Sequence, residues 1–138
     1  MGLDIFMKIF VPVLVIFFSV HISSQEIGSV KKANHSIKLV KTSDSYSLIY
    51  SDLYTINQNA FQFNFKETVY NIIMDGFEKN SDHQIIVQTN NDTIVKFEFK
   101  KIKGQKMLKI KQNNLTVQTF GVSTFYTQKD ILRLFGSS

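Results

Sequence analysis

The chain contains no cysteine. That excludes disulfides, thiolate metal sites, a cysteine nucleophile and lipid attachment to a cysteine at the end of an export signal. An exported domain of this kind must be held by packing alone. Proline is nearly as scarce. The single one, Pro12, falls in the N-terminal apolar run, so no proline interrupts a strand or helix after it. The six glycines are scattered and form no phosphate-binding loop, no dinucleotide fingerprint and no GxSxG elbow. Of the three histidines, His21 belongs to the N-terminal segment, leaving His35 and His83. A metal site would have to combine Asp82, His83 and a distant acid. Adjacent residues of a strand point to opposite faces, which argues against that. No motif calls for a cofactor.

What the chain does have begins with an address. Lys8 precedes an apolar run from Ile9 to Val20, which ends in the polar, small-residue segment HISSQ. This reads as a secretory signal peptide over residues 1–24, cleaved after Ser24. Asp4 is out of place in a region that should be positive, and Met7 would give the simpler start MKIF. The run falls short of the about 20 residues that span a bilayer, so no membrane span is expected after cleavage. The product is periplasmic or extracellular. Its richness in Lys, Asn, Ile and Phe, the usage of an AT-rich genome, and its lack of cysteine fit a bacterial exported protein; the three Asn-x-Ser/Thr sequons would be glycan acceptors only in a eukaryotic secretory route.

Formal net charge is +5 and is unchanged by cleavage, which removes Asp4 and Lys8 together. A basic exported protein favours anionic polysaccharide, lipid headgroups or acidic partners. The plainer reading makes lysine the default solubilising residue.

The hydrophobic pattern centres on Phe61–Phe77, FQFNFKETVYNIIMDGF. Phe61, Phe63 and Phe65 alternate with polar residues as in a strand, and the period then lengthens to that of a helix. Asn64 with Glu67 is predicted to cap the helix, Val69, Ile72, Ile73 and Phe77 to form its buried side, and Gly76 to end it. Before it, Gln25–His35 has no period and reads as a loose leader. Ile37–Lys41 and Tyr46–Ser51 read as a hairpin. After it come four predicted strands: Ile85–Gln88, Thr93–Lys100, Met107–Lys111 and Leu115–Thr119.

Their register follows from the alternation. A two-residue Lys103-Gly104 turn sets Phe99 opposite Leu108 and Phe97 opposite Ile110. A three-residue Asn90-Asn91-Asp92 loop sets Val95 opposite Val87. A two-residue loop would slip the strand by one residue and bury Gln84. An Asn113-Asn114 turn would set Ile110 opposite Val117. Thr127 with Asp130 then opens a short C-terminal helix, with Tyr126 stapled to Ile131 and Gly136 at its end.

The expected fold is a single α+β domain over residues 36–138. It has one antiparallel sheet of about six or seven strands, a central amphipathic helix on its aromatic face, and the short C-terminal helix beside it. The expected function is that of a small non-catalytic binding or interaction module of the bacterial envelope. Its partner would be an envelope protein or an anionic surface component. The binding candidates are Lys96, Lys100, Lys109 and Lys111, which the register places on the outer face of the sheet. Nucleic acid is excluded, because Phe97 and Phe99 point away from these lysines and leave no stacking platform. One alternative is a small periplasmic hydrolase or isomerase, with Asp52, Tyr54 or His83 converging in a pocket between the helix and the sheet. Another is a polyanion-binding or inhibitor module that uses the basic face. Ile86 and Ile94, also on the outer side, hint that part of this face is covered.

Overall fold

The computed structural model describes residues 24–136. Apart from Ser24, the expected export signal lies outside the described residues. Strands β1 (Gln25–Lys32), β2 (His35–Lys41), β3 (Tyr46–Ser51) and β4 (Gln58–Phe63) form one antiparallel meander, and helix α1 (Lys66–Glu78) follows it. Strands β5 (His83–Thr89), β6 (Thr93–Ile102), β7 (Gln105–Asn114) and β8 (Phe120–Thr127) form a second meander, followed by α2 (Gln128–Leu134).

The class is α+β with antiparallel pairing, but the expected single sheet with a central helix is wrong. The strands divide into two four-stranded sheets. The break falls at α1. β4 runs directly into the helix, and the chain returning as β5 meets β4 only at a corner, where the Asn90 N–H donates to the Gln62 carbonyl at 2.9 Å. A second corner joins the sheets where the Leu53 N–H donates to the Val122 carbonyl at 2.7 Å.

The alternation read from the sequence puts the apolar faces of both sheets inward. Ile37, Leu39, Leu48, Tyr50, Phe61 and Phe63 come from the first sheet. Val95, Phe97, Phe99, Leu108, Ile110 and Tyr126 come from the second, all in one apolar cluster with Ile73, Ile131 and Leu134 of the helices. Phe97, Ile110 and Ile73 are fully excluded from water. Each such side chain contributes about 1.5–3 kcal/mol. In a chain with no disulfide, this layer is the main source of stability.

Both helices pack against this layer. α1 presents Val69, Ile73 and Phe77 at helical spacing and packs on β5, β6 and β7. Gly76 does not end it. The helix continues to Glu78, because the bare Cα of Gly76 is where the Phe99 ring rests. Nor does Asn64 cap it. Phe65 is the N-cap and has no side-chain bond, while Asn64 Oδ1 accepts from Asn90 Nδ2 at 2.9 Å instead.

In α2 the expected capping box is present. Thr127 Oγ1 accepts from the Asp130 N–H at 3.1 Å, and Asp130 Oδ2 accepts from the Thr127 N–H at 2.9 Å. This helix packs chiefly on β1, and also on β2, β7 and β8.

The expected loose leader is instead an ordered strand, for Gln25–Lys32 is β1, paired with β2. Its pattern is broken by a bulge between Glu26 and Gly28. Gly28 seats the last turn of α2, and a methyl there would strike the carbonyl oxygens of Arg133 and Leu134. Lys32 adds an ion pair to Asp130 at 2.8 Å.

In the second sheet the register holds from β5 to β7. Val95 faces Val87, Phe97 faces both Ile85 and Ile110, and Phe99 faces Leu108. Asn91 and Asp92 adopt positive φ (60° and 56°) in the three-residue loop, as do Lys103 (51°) and Gly104 (81°) in the two-residue turn.

The last strand differs. β7 continues through Asn114, 115–119 is a loop, and Ile110 faces a bulge near Ser123 rather than Val117. Asn113 and Asn114 read as a two-residue turn because asparagine tolerates positive φ. Here both belong to β7, whose polar end is bonded across to other elements: Gln112 Oε1 accepts from the Tyr50 hydroxyl at 2.8 Å, and Asn114 Nδ2 donates to the Asn91 carbonyl at 2.8 Å.

Candidate functional site

The four candidate lysines lie on the outer face of β6 and β7, where the register put them, yet they do not act as one patch. Lys111 is paired with Glu98 at 2.9 Å. Lys109 sits over the Phe125 ring, 4.4 Å from its centroid. Lys100 is exposed and lies roughly 13 Å along β6 from Lys96 at about 3.3 Å per residue. Lys96 stands directly across from Lys111. Among the described residues no carboxylate is within ion-pair distance of Lys96.

Around Lys96 and Lys111 the surface is apolar. Ile94, Leu115, Phe120 and Val122 complete the walls of an open basin of about 410 Å³. Leu115 and Phe120 are 58 % and 73 % exposed, and Val117 beside them is 66 % exposed.

The loop that carries Leu115 and Val117 is held open by its own hydrogen bonds. Asn114 Oδ1 accepts from the N–H groups of Thr116 and Val117 at 2.9 and 3.0 Å, and the Leu115 N–H donates to the Asp92 carbonyl at 2.9 Å. The apolar tips are therefore fixed outward, and ordering them on contact costs little entropy. Exposed apolar side chains gathered in this way mark contact surfaces more often than isolated ones do.

Beside this basin the β3–β4 loop is organised by Asp52. Its carboxylate accepts five hydrogen bonds, from the N–H groups of Tyr54, Thr55 and Val122, from Thr55 Oγ1 and from Asn59 Nδ2. Burial alone would raise the Asp52 pKa. The donors, Asn59 first, outweigh burial and hold the carboxyl below the ordinary carboxylate range. The Tyr50 hydroxyl nearby is pushed well above its usual value, by burial first and then by the Asp52 charge. With its oxygens engaged in this way, Asp52 fastens the loop to β8, and Tyr54 and Ile56 project into water.

Asp52, Tyr54 and His83 do not converge. The His83 ring stacks on Phe99 at 4.9 Å, and the register puts Phe99 level with Leu108 and Tyr126. Asp52 meets Val122, roughly 13 Å further along β8. The Tyr54 side chain is 77 % exposed. Among the described residues no three His, Asp or Glu side chains come together as a metal cage.

Sequence reasoning found Lys96 and Lys111 but missed the residues that shape the basin. By their pattern Leu115 and Val117 belong to a strand, and nothing in the pattern marks Phe120. Ile94, noted as an apolar residue on the outer side, was the one available signal. No protein-family model, curated protein or solved structure matches the chain. The basin is thus read from its own geometry.

Proposed function

We propose that this protein is a small exported, non-catalytic binding module of the bacterial envelope. It meets its partner through the outer face of β6–β8, where the β7–β8 loop rises over the lysines. Export is inferred from Lys8, the apolar run to Val20 and the small-residue end at Ser24. The observation that carries the contact surface is the exposed pair Leu115 and Phe120 lining one basin with Lys96, with Val117 exposed on the same loop. A general polyanion site is less well supported, since Lys111 is neutralised by Glu98 and Lys109 is engaged with Phe125.

The test is site-specific photo-cross-linking in cells expressing the full chain. A photoreactive residue at Phe120 is expected to give discrete adducts, while the same residue at Lys38, on the outer side of the first sheet, gives none. Equal labelling at both positions, or no adduct at Phe120, would remove the proposal.

A further inference from the structure

We infer that the basin on the outer face of the second sheet takes a mono-anionic amphiphile, a single-chain aliphatic or aromatic carboxylate. Its charged end would lie on Lys96, with its apolar body between Leu115 and Phe120. The inference rests on the reading of this face as the binding surface and adds the ligand class.

The charge count carries it. Lys96 and Lys111 face each other across β6 and β7. Glu98 is committed to Lys111 at 2.9 Å, which leaves one uncompensated ammonium at the floor. The uncompensated Lys96 ammonium repels a cationic ligand. A neutral apolar ligand would press against the Lys96 ammonium and strip its water without returning a partner. A carboxylate supplies that partner through a charge-assisted hydrogen bond.

The walls select for the rest of the molecule. Ile94, Val122, Leu115 and Phe120 offer carbon, while the polar side chains of the lining, Gln112 and Asn113 beside the two lysines, sit together on β6 and β7. The volume of about 410 Å³ is within the roughly 300–1,000 Å³ of small-ligand sites. At the lower end of that range the basin suits one chain rather than a two-chain lipid. Leu115 is fixed by its backbone bond to Asp92, and Gly121, in the floor, is backed by Asn59 and Tyr50. The basin is thus preformed.

Decanoate below its micellar concentration is the probe, followed by amide chemical shifts of the mature protein. The expected result is saturable movement of the amides of Ile94, Leu115 and Phe120, with decanol and acetate each binding at least tenfold more weakly. Lys96→Gln is expected to weaken decanoate roughly tenfold and leave decanol unchanged. Glu98→Gln, which releases the second ammonium, is expected to tighten decanoate by about threefold. A structural role for either residue would not give opposite signs. Phe120→Ser should weaken both long-chain probes.

Four outcomes overturn the inference: shifts elsewhere or none, decanol binding as well as decanoate, no effect of Lys96→Gln, or competition of equal strength from two-chain anionic vesicles. If cross-linking at Phe120 captures a partner while decanoate fails, the ligand class falls and the contact surface stands.

Discussion

Gly76→Ala is expected to destabilise the fold by about 2–3 kcal/mol, although the same change inside an exposed helix is stabilising by about 1 kcal/mol. The sign reverses because of the neighbour. A methyl at residue 76 would fall inside the van der Waals envelope of the Phe99 ring. That ring has nowhere to go. Phe77 meets it edge-on at 5.1 Å, His83 stacks on it at 4.9 Å, and it is 1 % exposed. Either α1 lifts from the second sheet or the ring is forced off its rotamer, and both cost more than the helix gains. For a domain of this size the melting temperature should fall by roughly 10 °C. Combining Gly76→Ala with Phe99→Leu should recover part of the loss, which a double-mutant cycle in urea would measure. A single variant at least as stable as its parent would refute the tight seating of α1.

The second large effect is at Asp52. Asp52→Asn keeps the shape but turns a donor toward the N–H groups of Tyr54 and Thr55, both within 3.1 Å of Asp52 Oδ2. A loss of about 1–2 kcal/mol at pH 7 is expected from the half-buried donors left facing a donor.

The same carboxylate sets the acid limit of the fold, together with Asp130. Burial would push the Asp130 carboxyl up, but the Lys32 ammonium at 2.8 Å and the Thr127 cap outweigh it and hold it low. Both folded values lie below the ordinary 3.8. A depressed folded pKa stabilises above the unfolded value, and the stabilisation is lost as pH falls through the folded one. Stability should therefore be flat above about pH 5 and decline from about pH 4 downward. Urea midpoints at pH 7 and pH 3 check this. Asp52→Asn should be the less stable at pH 7 and show a shallower acid decline. A parallel decline in the two proteins would sink the assignment.

How much could be read in advance depended on whether the information was local. Val95, Phe97 and Phe99 alternate without a break, so the face, the register against β5 and β7, and the three-residue loop followed from the pattern alone. The Thr127 and Asp130 box is contained in four consecutive residues and was legible for the same reason. β1 was not. Its bulge puts Ile27 and Val30 out of step, and Gly28 is shaped by α2, which lies at the far end of the sequence.

The division into two sheets was hidden for a similar cause. Alternation tells a strand which neighbour in sequence it pairs with, but it cannot say whether β5 returns alongside β4. Of the candidate site, the lysines were visible through the period of two. The basin was not, because Leu115 and Phe120 gain their meaning from the five-residue loop that Asn114 organises.

The order of elements, a meander and a helix followed by another meander and helix, has a consequence for how the molecule can be divided. Cut between Lys79 and Asp82, the polypeptide yields two fragments, and each loses helix packing made across the cut. α1 parts from β5, β6 and β7, on which it packs, and Gly28 in the first fragment loses the α2 turn seated on it. Neither fragment should give a dispersed amide spectrum by itself. Mixed in equal amounts, the two should reconstitute the native spectrum, as lock and key halves that are legible only together.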